Sequence, residues 1–181
     1  MIKVIDNIIS NKYSQFLFDE IAKVPWTFVP NISYGNDDNY STSGFSYSFY
    51  LHKKFNNKEE KTIENSEYKY VAPMILSAFD AFGLNADLEN VFRSRARLTL
   101  NREKSIPENT HIDYKFPHLV LLYYINTTDG DTVLYDEGNV IEKITPKRGR
   151  CVLFDGTIHH ASSSSTLSPR LVINTNILFY K

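Results

Sequence analysis

The sequence predicts a mainly β, α+β fold in which short strands form a jelly roll and N-terminal helices pack on one face. Aromatic residues make up 14% of the chain, and their flat rings pack well on pleated sheets. Two helical patterns come before Gly83, and a run of strand-like segments follows it. The length of 181 residues, 42% of them hydrophobic, suits a single domain over 1–181 with its own core.

Two helices and two short strands are expected in the first half. After a strand at 2–5, Ser10 or Asn11 caps a helix that Pro25 stops. A second helix ends at Gly83, since glycine takes the left-handed backbone of a helix end at no steric cost. The remaining segments are predicted as a polar loop at 31–44, a strand at 45–51 and a solvated connection at 55–66. The second helix itself is predicted over 70–82.

The second half is predicted to form strands, because β-branched, leucine and aromatic residues are frequent in it. Asp129-Gly130 and Glu137-Gly138 are turn dipeptides between strands. In 91–101 and 170–180, polar and apolar residues alternate with a period of two. Alone, this alternation favours an apolar face on the core and a polar face toward water. In a jelly roll with external helices, the polar face lines the cavity instead. The predicted strands are 91–100, 119–125, 132–135, 150–154 and 170–180.

Charge and composition exclude several classes of protein. The formal net charge of −1 gives no general attraction to nucleic acids or acidic membranes. No apolar run approaches the roughly 20 residues of a membrane helix, and Asp6 and Asn7 interrupt what a signal peptide would keep apolar. The single cysteine, Cys151, excludes an internal disulfide. We therefore expect a cytoplasmic protein without a nucleic-acid or membrane partner, and the oligomeric state stays open.

A candidate metal site begins at His111-Ile-Asp113, which places an imidazole and a carboxylate on one face of an extended segment. A further ligand can come from His159 or His160 on a neighbouring strand. Two histidines and one carboxylate leave open positions on a metal, which is the arrangement of non-haem Fe(II) oxygenases. Arg170 opens the last strand, where a buried guanidinium needs an anion. Taken separately, His-x-Asp also fits a surface turn and Arg170 a surface residue.

From His111 onward, the sequence resembles the Fe(II)- and 2-oxoglutarate-dependent dioxygenases, most closely their prolyl 4-hydroxylase-like branch. The N-terminal half matches only loosely, through 4–7, the first helix and Trp26. The matching pieces, in order, are His111-Ile-Asp113, the run at 121–126, Asp129-Gly130-Asp131-Thr132, the pattern Pro146-x-x-Gly149-x-x-Val152-x-Phe154, His160-Ala161 and Arg170.

The resemblance implies a double-stranded β-helix that holds Fe(II) through His111, Asp113 and His160. His160 is preferred to His159 because the family commonly has Ala or Gly after this ligand. The 2-oxoglutarate carboxylate would meet Arg170 and Tyr124. Asn101 occupies roughly the position where the family often has a tyrosine or similar hydrogen-bond donor to the cosubstrate. Because this sequence has asparagine there, the assignment of Asn101 to cosubstrate binding departs from the family pattern. Three further polar residues are expected to share the cavity, Thr99, Asn174 and Asn176, whereas His52 and His118 are interpreted as structural.

The implied reaction uses O₂ to hydroxylate an unactivated C–H bond while 2-oxoglutarate is decarboxylated to succinate. The substrate would be a peptide, a protein or a small molecule, and the branch favours prolyl hydroxylation of a peptide. The loop 31–44 is the candidate lid over the substrate, and 162–165 is interpreted as a flexible loop. Two alternatives remain, a metal-free jelly-roll binding or structural module and a metal-dependent cupin enzyme that does not use 2-oxoglutarate.

Overall fold

The computed structural model describes residues 1–30, 43–55, 61–105 and 109–178, and these residues form two antiparallel sheets and two α-helices. The helices are α1 (Asn11–Ile21) and α2 (Tyr68–Phe82). The strands are β1 (Ile2–Asp6), β2 (Thr27–Val29), β3 (Gly44–Leu51), β4 (Ile63–Glu64), β5 (Val91–Thr99), β6 (Leu119–Tyr124), β7 (Thr132–Asp136), β8 (Asn139–Ile144), β9 (Arg150–Asp155), β10 (His159–Ser162) and β11 (Arg170–Ile177).

The larger sheet has the strand order β1-β9-β6-β11-β5-β3-β2, with β4 paired to β3. The smaller sheet has the order β10-β7-β8. An apolar cluster joins the inner face of the larger sheet to the smaller one, through residues such as Val120, Val152, Leu134 and Ile144. Two antiparallel sheets closed over a shared core are a jelly roll. The predicted mainly β fold with helices on one face is confirmed.

The helices cover the outer face of the larger sheet. Ser10 caps α1 by accepting a hydrogen bond from the Tyr13 N–H, and α2 ends at Gly83 with φ +65°. Both ends agree with the sequence prediction. The apolar sides of α1 and α2 bury Leu17, Ile21, Met74, Ile75 and Phe79 against outward-facing strand residues such as Tyr47, Phe49, Leu121, Tyr123 and Ile173. Since β6 contributes to this core and to the core between the sheets, all six of its residues are buried.

Three short strands go beyond the sequence prediction. The strand β4 lies within 55–66, which was expected to be only a solvated connection. The strand β8 forms a hairpin with β7 around Glu137 and Gly138, whose φ angles are +48° and +82°. This turn was predicted, but the exposed strand after it lacks a strong apolar pattern. The strand β2 pairs with β3. Most of the predicted lid, residues 31–42, lies outside the described residues.

The polar faces of β5 and β11 turn inward, so the interpretation that placed them in water is wrong. Asn174 and Asn176 are buried, with exposed fractions of 6% and 0%. They lie opposite Arg95 and Arg93 in the antiparallel register. The smaller sheet and the segment around His111 cover this face, which makes it the lining of a polar interior.

No helix among the described residues is long and apolar enough to span a membrane.

Candidate active site

His111 and His160 are brought together by the backbone. They form an isolated antiparallel bridge in which each N–H donates to the other's carbonyl oxygen at 2.9 Å. The segment around His111 thereby extends the edge of the smaller sheet beside β10. The two imidazole rings lie with their centroids 4.6 Å apart. Both rings therefore share one side of this sheet edge.

Both imidazoles have the tautomer that a metal ligand needs. The Nδ1 of His111 lies 3.3 Å from the Asn109 carbonyl oxygen, and the Nδ1 of His160 lies 3.1 Å from that of Ile158. A carbonyl oxygen only accepts, so each Nδ1 carries the proton and each Nε2 keeps its lone pair. Burial lowers the pKa of His111, and it lowers the pKa of His160 to about 4. Both side chains are therefore neutral at neutral pH.

Asp113 completes this group as a buried carboxylate with a side chain only 2% exposed. Its Oδ1 lies 2.8 Å from Arg93 Nη2 and 3.5 Å from Arg95 Nη2. Its Oδ2 accepts hydrogen bonds from Asn174 at 3.1 Å and from Asn176 at 2.8 Å. Burial alone raises the pKa of Asp113, but Arg93, Arg95, His160 and Asn176 outweigh it and hold the pKa well below its ordinary value. The carboxylate is ionised and firmly oriented.

The donor set fits a divalent transition metal. One ligand atom from each of His111, Asp113 and His160 lies within 4.8 Å of the other two. Two neutral imidazoles and one ionised carboxylate on one side of a cavity match the non-haem Fe(II) ligand set and leave the other side open. His159 is exposed on β10 and is not part of this cluster. His52 and His118 also lie outside it.

Arg170 lies on the same cavity, at the start of β11, and is only 5% exposed. Its Nε donates to the Gly130 carbonyl oxygen at 2.9 Å, and its Nη2 donates to Thr132 Oγ1 at 2.6 Å. The Tyr124 hydroxyl donates to the same Thr132 oxygen at 2.7 Å. The guanidinium is thus fixed from two sides at the cavity wall, which also contains His111, His160 and Asn174.

Thr132 is a site residue that the sequence reasoning did not select. Its oxygen accepts from both Arg170 and Tyr124, so its own hydrogen is left to donate into the cavity that Thr132 lines. Threonine is common in strands for steric reasons. The position within Asp129-Gly130-Asp131-Thr132, next to the predicted Tyr124 and Arg170, was the available signal.

Asn101 is placed apart from the other predicted site residues. It follows the end of β5, its side chain is exposed, and it is not among the side chains that line the cavity containing Arg170 and His111. Thr99 is buried at the end of β5, where it pairs with Arg170 in the register of β11. The structure therefore brings together all the predicted site residues except Asn101.

The segment 162–165 is firmly held, which corrects its interpretation as a flexible loop. Ser164 and Ser165 are fully buried. The Asp129 carboxylate accepts from the Ser165 hydroxyl at 2.5 Å and from the Thr166 N–H at 2.8 Å. A Cβ added to Gly130 would lie 2.7 Å from the Ser163 carbonyl oxygen and 3.2 Å from Arg170 Cδ. Asp129 and Gly130 thus fix the chain that leads into Arg170.

Solved structures share this architecture over nearly the whole chain. An oxidoreductase of the 2OG-Fe(II) oxygenase family from Burkholderia pseudomallei aligns with 97% of this chain and 84% of its own, at a TM-score of 0.75 and 10% identity. The fold is that of the 2OG-Fe(II) oxygenases. A Trichoplax adhaerens prolyl hydroxylase, solved with a hypoxia inducible factor peptide, aligns with 98% of this chain and 83% of its own. Its TM-score is 0.64 and its identity 16%.

The same fold also carries a different reaction. The epimerase SnoN, solved with Fe³⁺, α-ketoglutarate and nogalamycin RO, aligns with 97% of this chain and 78% of its own, at a TM-score of 0.62 and 13% identity. Comparisons with family models and with curated proteins give no match for this sequence. At these identities the 2OG-Fe(II) oxygenase fold is established, and the reaction must be argued from the site.

Proposed function

We propose that residues 1–181 form one Fe(II)- and 2-oxoglutarate-dependent dioxygenase domain that hydroxylates an unactivated C–H bond. The observation that carries this proposal is a single cavity that is lined both by candidate metal ligands and by a buried arginine. His111 and His160, whose ligand atoms cluster with that of Asp113, line this cavity together with the buried guanidinium of Arg170. A metal site alone fits many enzymes, whereas a buried arginine beside it calls for an anionic cosubstrate.

His111, Asp113 and His160 would hold the metal, and the chain supplies each of them in the required protonation state. When bound, Fe(II) and 2-oxoglutarate would supply the electrons that activate O₂, so that one oxygen atom enters succinate as CO₂ is lost and the other enters the substrate C–H bond. Asn174 and Asn176 hold the Asp113 carboxylate by its Oδ2. The protein thus provides orientation and a polar interior covered by the smaller sheet.

Arg170 would pair with the distal carboxylate of 2-oxoglutarate. A guanidinium fixed by Gly130 and Thr132 is preorganised for such a charge-assisted contact, which lowers the entropic cost of binding. The Thr132 hydroxyl would donate a second hydrogen bond to the same carboxylate, and Tyr124 would orient that hydroxyl. A role for Asn101 stays a prediction from sequence.

For the substrate, we propose a proline-containing peptide or protein. Two prolyl hydroxylases are among the proteins with this fold, one of them solved with a peptide. The epimerase shows that the fold also serves a small molecule, so substrate assignment needs a direct assay.

The experiment supplies Fe(II), ascorbate, C1-labelled 2-oxoglutarate and a pool of proline peptides to the protein in air. We expect release of labelled CO₂ and a mass gain of one oxygen atom on proline. Asp113→Ala should abolish both, whereas Asp136→Ala, in the exposed β7–β8 hairpin, should retain both. Label release without peptide oxidation would contradict the prolyl assignment alone. No label release from a folded protein would contradict the dioxygenase proposal.

A further inference from the structure

The strand β5 has an additional residue, Phe92, in its pairing with β11, directly before the pair of Arg93 and Asn176. A bulge of this kind turns side chains away from regular alternation. Two consecutive residues accordingly contact one ring, since the Phe92 centroid lies 5.0 Å and Arg93 Cζ 4.8 Å from the ring centroid of Tyr114. Tyr114 directly follows Asp113, so the bulge directs Arg93 toward the segment that carries this candidate ligand.

Arg93, Asn176 and Asp113 form a closed ring of contacts. The Arg93 Nε donates to Asn176 Oδ1 at 2.6 Å, and the Asn176 Nδ2 donates to Asp113 Oδ2 at 2.8 Å. The ring closes where Arg93 Nη2 lies 2.8 Å from Asp113 Oδ1. All three side chains are buried or nearly so. The guanidinium therefore holds the candidate ligand both directly and through the amide.

This ring sets the orientation of the Asn176 amide. A guanidinium only donates hydrogen bonds and a carboxylate only accepts them, so the amide oxygen must face Arg93 and the amide nitrogen must face Asp113. Asn174 donates to the same Asp113 oxygen at 3.1 Å, but its own Oδ1 has no hydrogen-bond partner among the described residues. Of the two amides that contact Asp113, Asn176 is therefore the one that Arg93 orients.

The two oxygens of Asp113 have different partners. A carboxylate oxygen offers about two lone pairs, and Oδ2 uses them to accept from the Asn174 and Asn176 amides. Oδ1 has an ion pair with Arg93 and no hydrogen bond from it, since Arg93 Nη2 lacks a hydrogen-bond partner within the described part of the chain. The contact from Arg95 Nη2 to Oδ1 is long, at 3.5 Å. Oδ1 is therefore the oxygen that keeps a lone pair for a metal.

Resting on the metal-binding part of the proposed function, we propose that Arg93 is a positioning residue that acts through Asn176 and confines Asp113 to binding the metal through Oδ1 alone. A carboxylate that binds through one oxygen leaves a further coordination position for the cosubstrate or O₂. Groups that orient a ligand change metal affinity although they do not touch the metal. Arg93 is placed for this role, because it contacts Asp113 but is not among the side chains that line the cavity.

The test compares Mn(II) affinity, measured by electron paramagnetic resonance, in the wild type and in variants. Arg93→Lys keeps the charge but has one nitrogen in place of the two that contact Asn176 and Asp113. Asn176→Ala removes the amide between them. We expect each change to weaken Mn(II) binding about tenfold or more. The double variant should bind no more weakly than the weaker single variant, because the two residues act in one chain of contacts.

A second readout reports how Asp113 binds. The spectrum of bound Mn(II) should change shape in Arg93→Lys and in Asn176→Ala, because a freed carboxylate reaches the metal with both oxygens. A role in stability alone would lower the midpoint of thermal unfolding without altering this spectrum. Arg150→Lys, in the ion pair of Arg150 with Asp6, is the matched control and should keep the affinity and the spectrum of the wild type.

Wild-type affinity and an unchanged spectrum in Arg93→Lys would overturn the proposal, as would losses that multiply in the double variant. An equal loss in Arg150→Lys, or weaker binding with an unchanged spectrum, would overturn it too. In each of these cases the wild type still binds Mn(II), so the proposed function is not refuted. A folded wild type that binds no Mn(II) would refute the proposed metal site, and this inference with it.

Discussion

The backbones of His111 and His160 exchange two hydrogen bonds of 2.9 Å, although the residues are far apart in the sequence. This bridge sets the imidazole rings side by side, with their centroids 4.6 Å apart. Each ring is further fixed by a carbonyl oxygen two residues before it. The ligand geometry is therefore a property of the folded chain, and loss of one imidazole should leave the backbone bridge intact.

Removal of one imidazole should separate metal binding from folding. We expect His160→Ala to lose at least about a hundredfold in Mn(II) affinity, because one of the three protein ligands is removed. Its midpoint of thermal unfolding should change little, since the side chain lines a cavity. Mn(II) titration followed by electron paramagnetic resonance measures the affinity. His159→Ala is the matched control, because the neighbouring His159 imidazole is exposed and should not contribute to Mn(II) binding. Equal Mn(II) affinity in the two variants would refute the ligand assignment.

The stability of the metal-free protein should depend on the protonation of His160. The folded-state pKa is about 4, below the ordinary value of 6.5, so the unfolded chain takes up the proton first as the pH falls. Stability is therefore full above about pH 6.5 and declines toward pH 4, by up to about 3 kcal/mol from this group. Urea unfolding across this range should give a flatter profile for His160→Gln. Parallel profiles for the two proteins would contradict the buried neutral imidazole.

Thr132 should matter for the cosubstrate and not for the metal. Thr132→Val leaves Arg170 and Tyr124 without their shared acceptor and removes a donor from the cavity. We expect the dissociation constant for 2-oxoglutarate to rise about tenfold, which corresponds to one charge-assisted hydrogen bond. Thr132→Ser keeps the hydroxyl and should stay near wild type. Anaerobic equilibrium titration provides the measurement, and similar constants for the valine and serine variants would exclude this role.

Asp129 should act on Arg170 at a distance, as a positioning residue. Its carboxylate accepts from Ser165 and Thr166, and hydrogen bonds from these residues hold its pKa well below the ordinary value. Asp129→Ala should release this segment and weaken 2-oxoglutarate binding several-fold while Mn(II) affinity is unchanged. Asp136→Ala is the control of the same residue type in an exposed hairpin. A parallel loss of metal affinity would indicate general destabilisation instead.

Local patterns predicted the parts of the fold that depend on neighbouring residues. Ser10 and Gly83 mark helix ends because capping involves residues within one turn. The ligand set His111, Asp113 and His160 was found through its spacing and its resemblance to a known family. The buried side of β11 was not predictable from alternation, since a period of two is the same whichever face is covered. The segment that brings Asp113 against Asn174 and Asn176 decides it.

Contacts between distant strands explain what the sequence did not reveal. Thr132 gains its role only when β7 approaches Arg170 of β11 and Tyr124 of β6. The segment 162–165 contains four consecutive serines, which suggested flexibility, but Asp129 supplies hydrogen-bond acceptors for it. The strand β8 has five exposed residues, so its pairing with β7 left little apolar signal.

The central claim is that one cavity binds a metal through two histidines and an aspartate and binds 2-oxoglutarate through Arg170. Anaerobic titration of the protein with Fe(II) and 2-oxoglutarate tests it directly, through the visible charge-transfer band of the chelate. We predict a saturable band in the wild type that is lost in His160→Ala and weakened in Arg170→Ala. A folded wild-type protein that gives no band, or a band unchanged in both variants, would contradict the claim and favour a jelly-roll binding module or an enzyme that does not use 2-oxoglutarate.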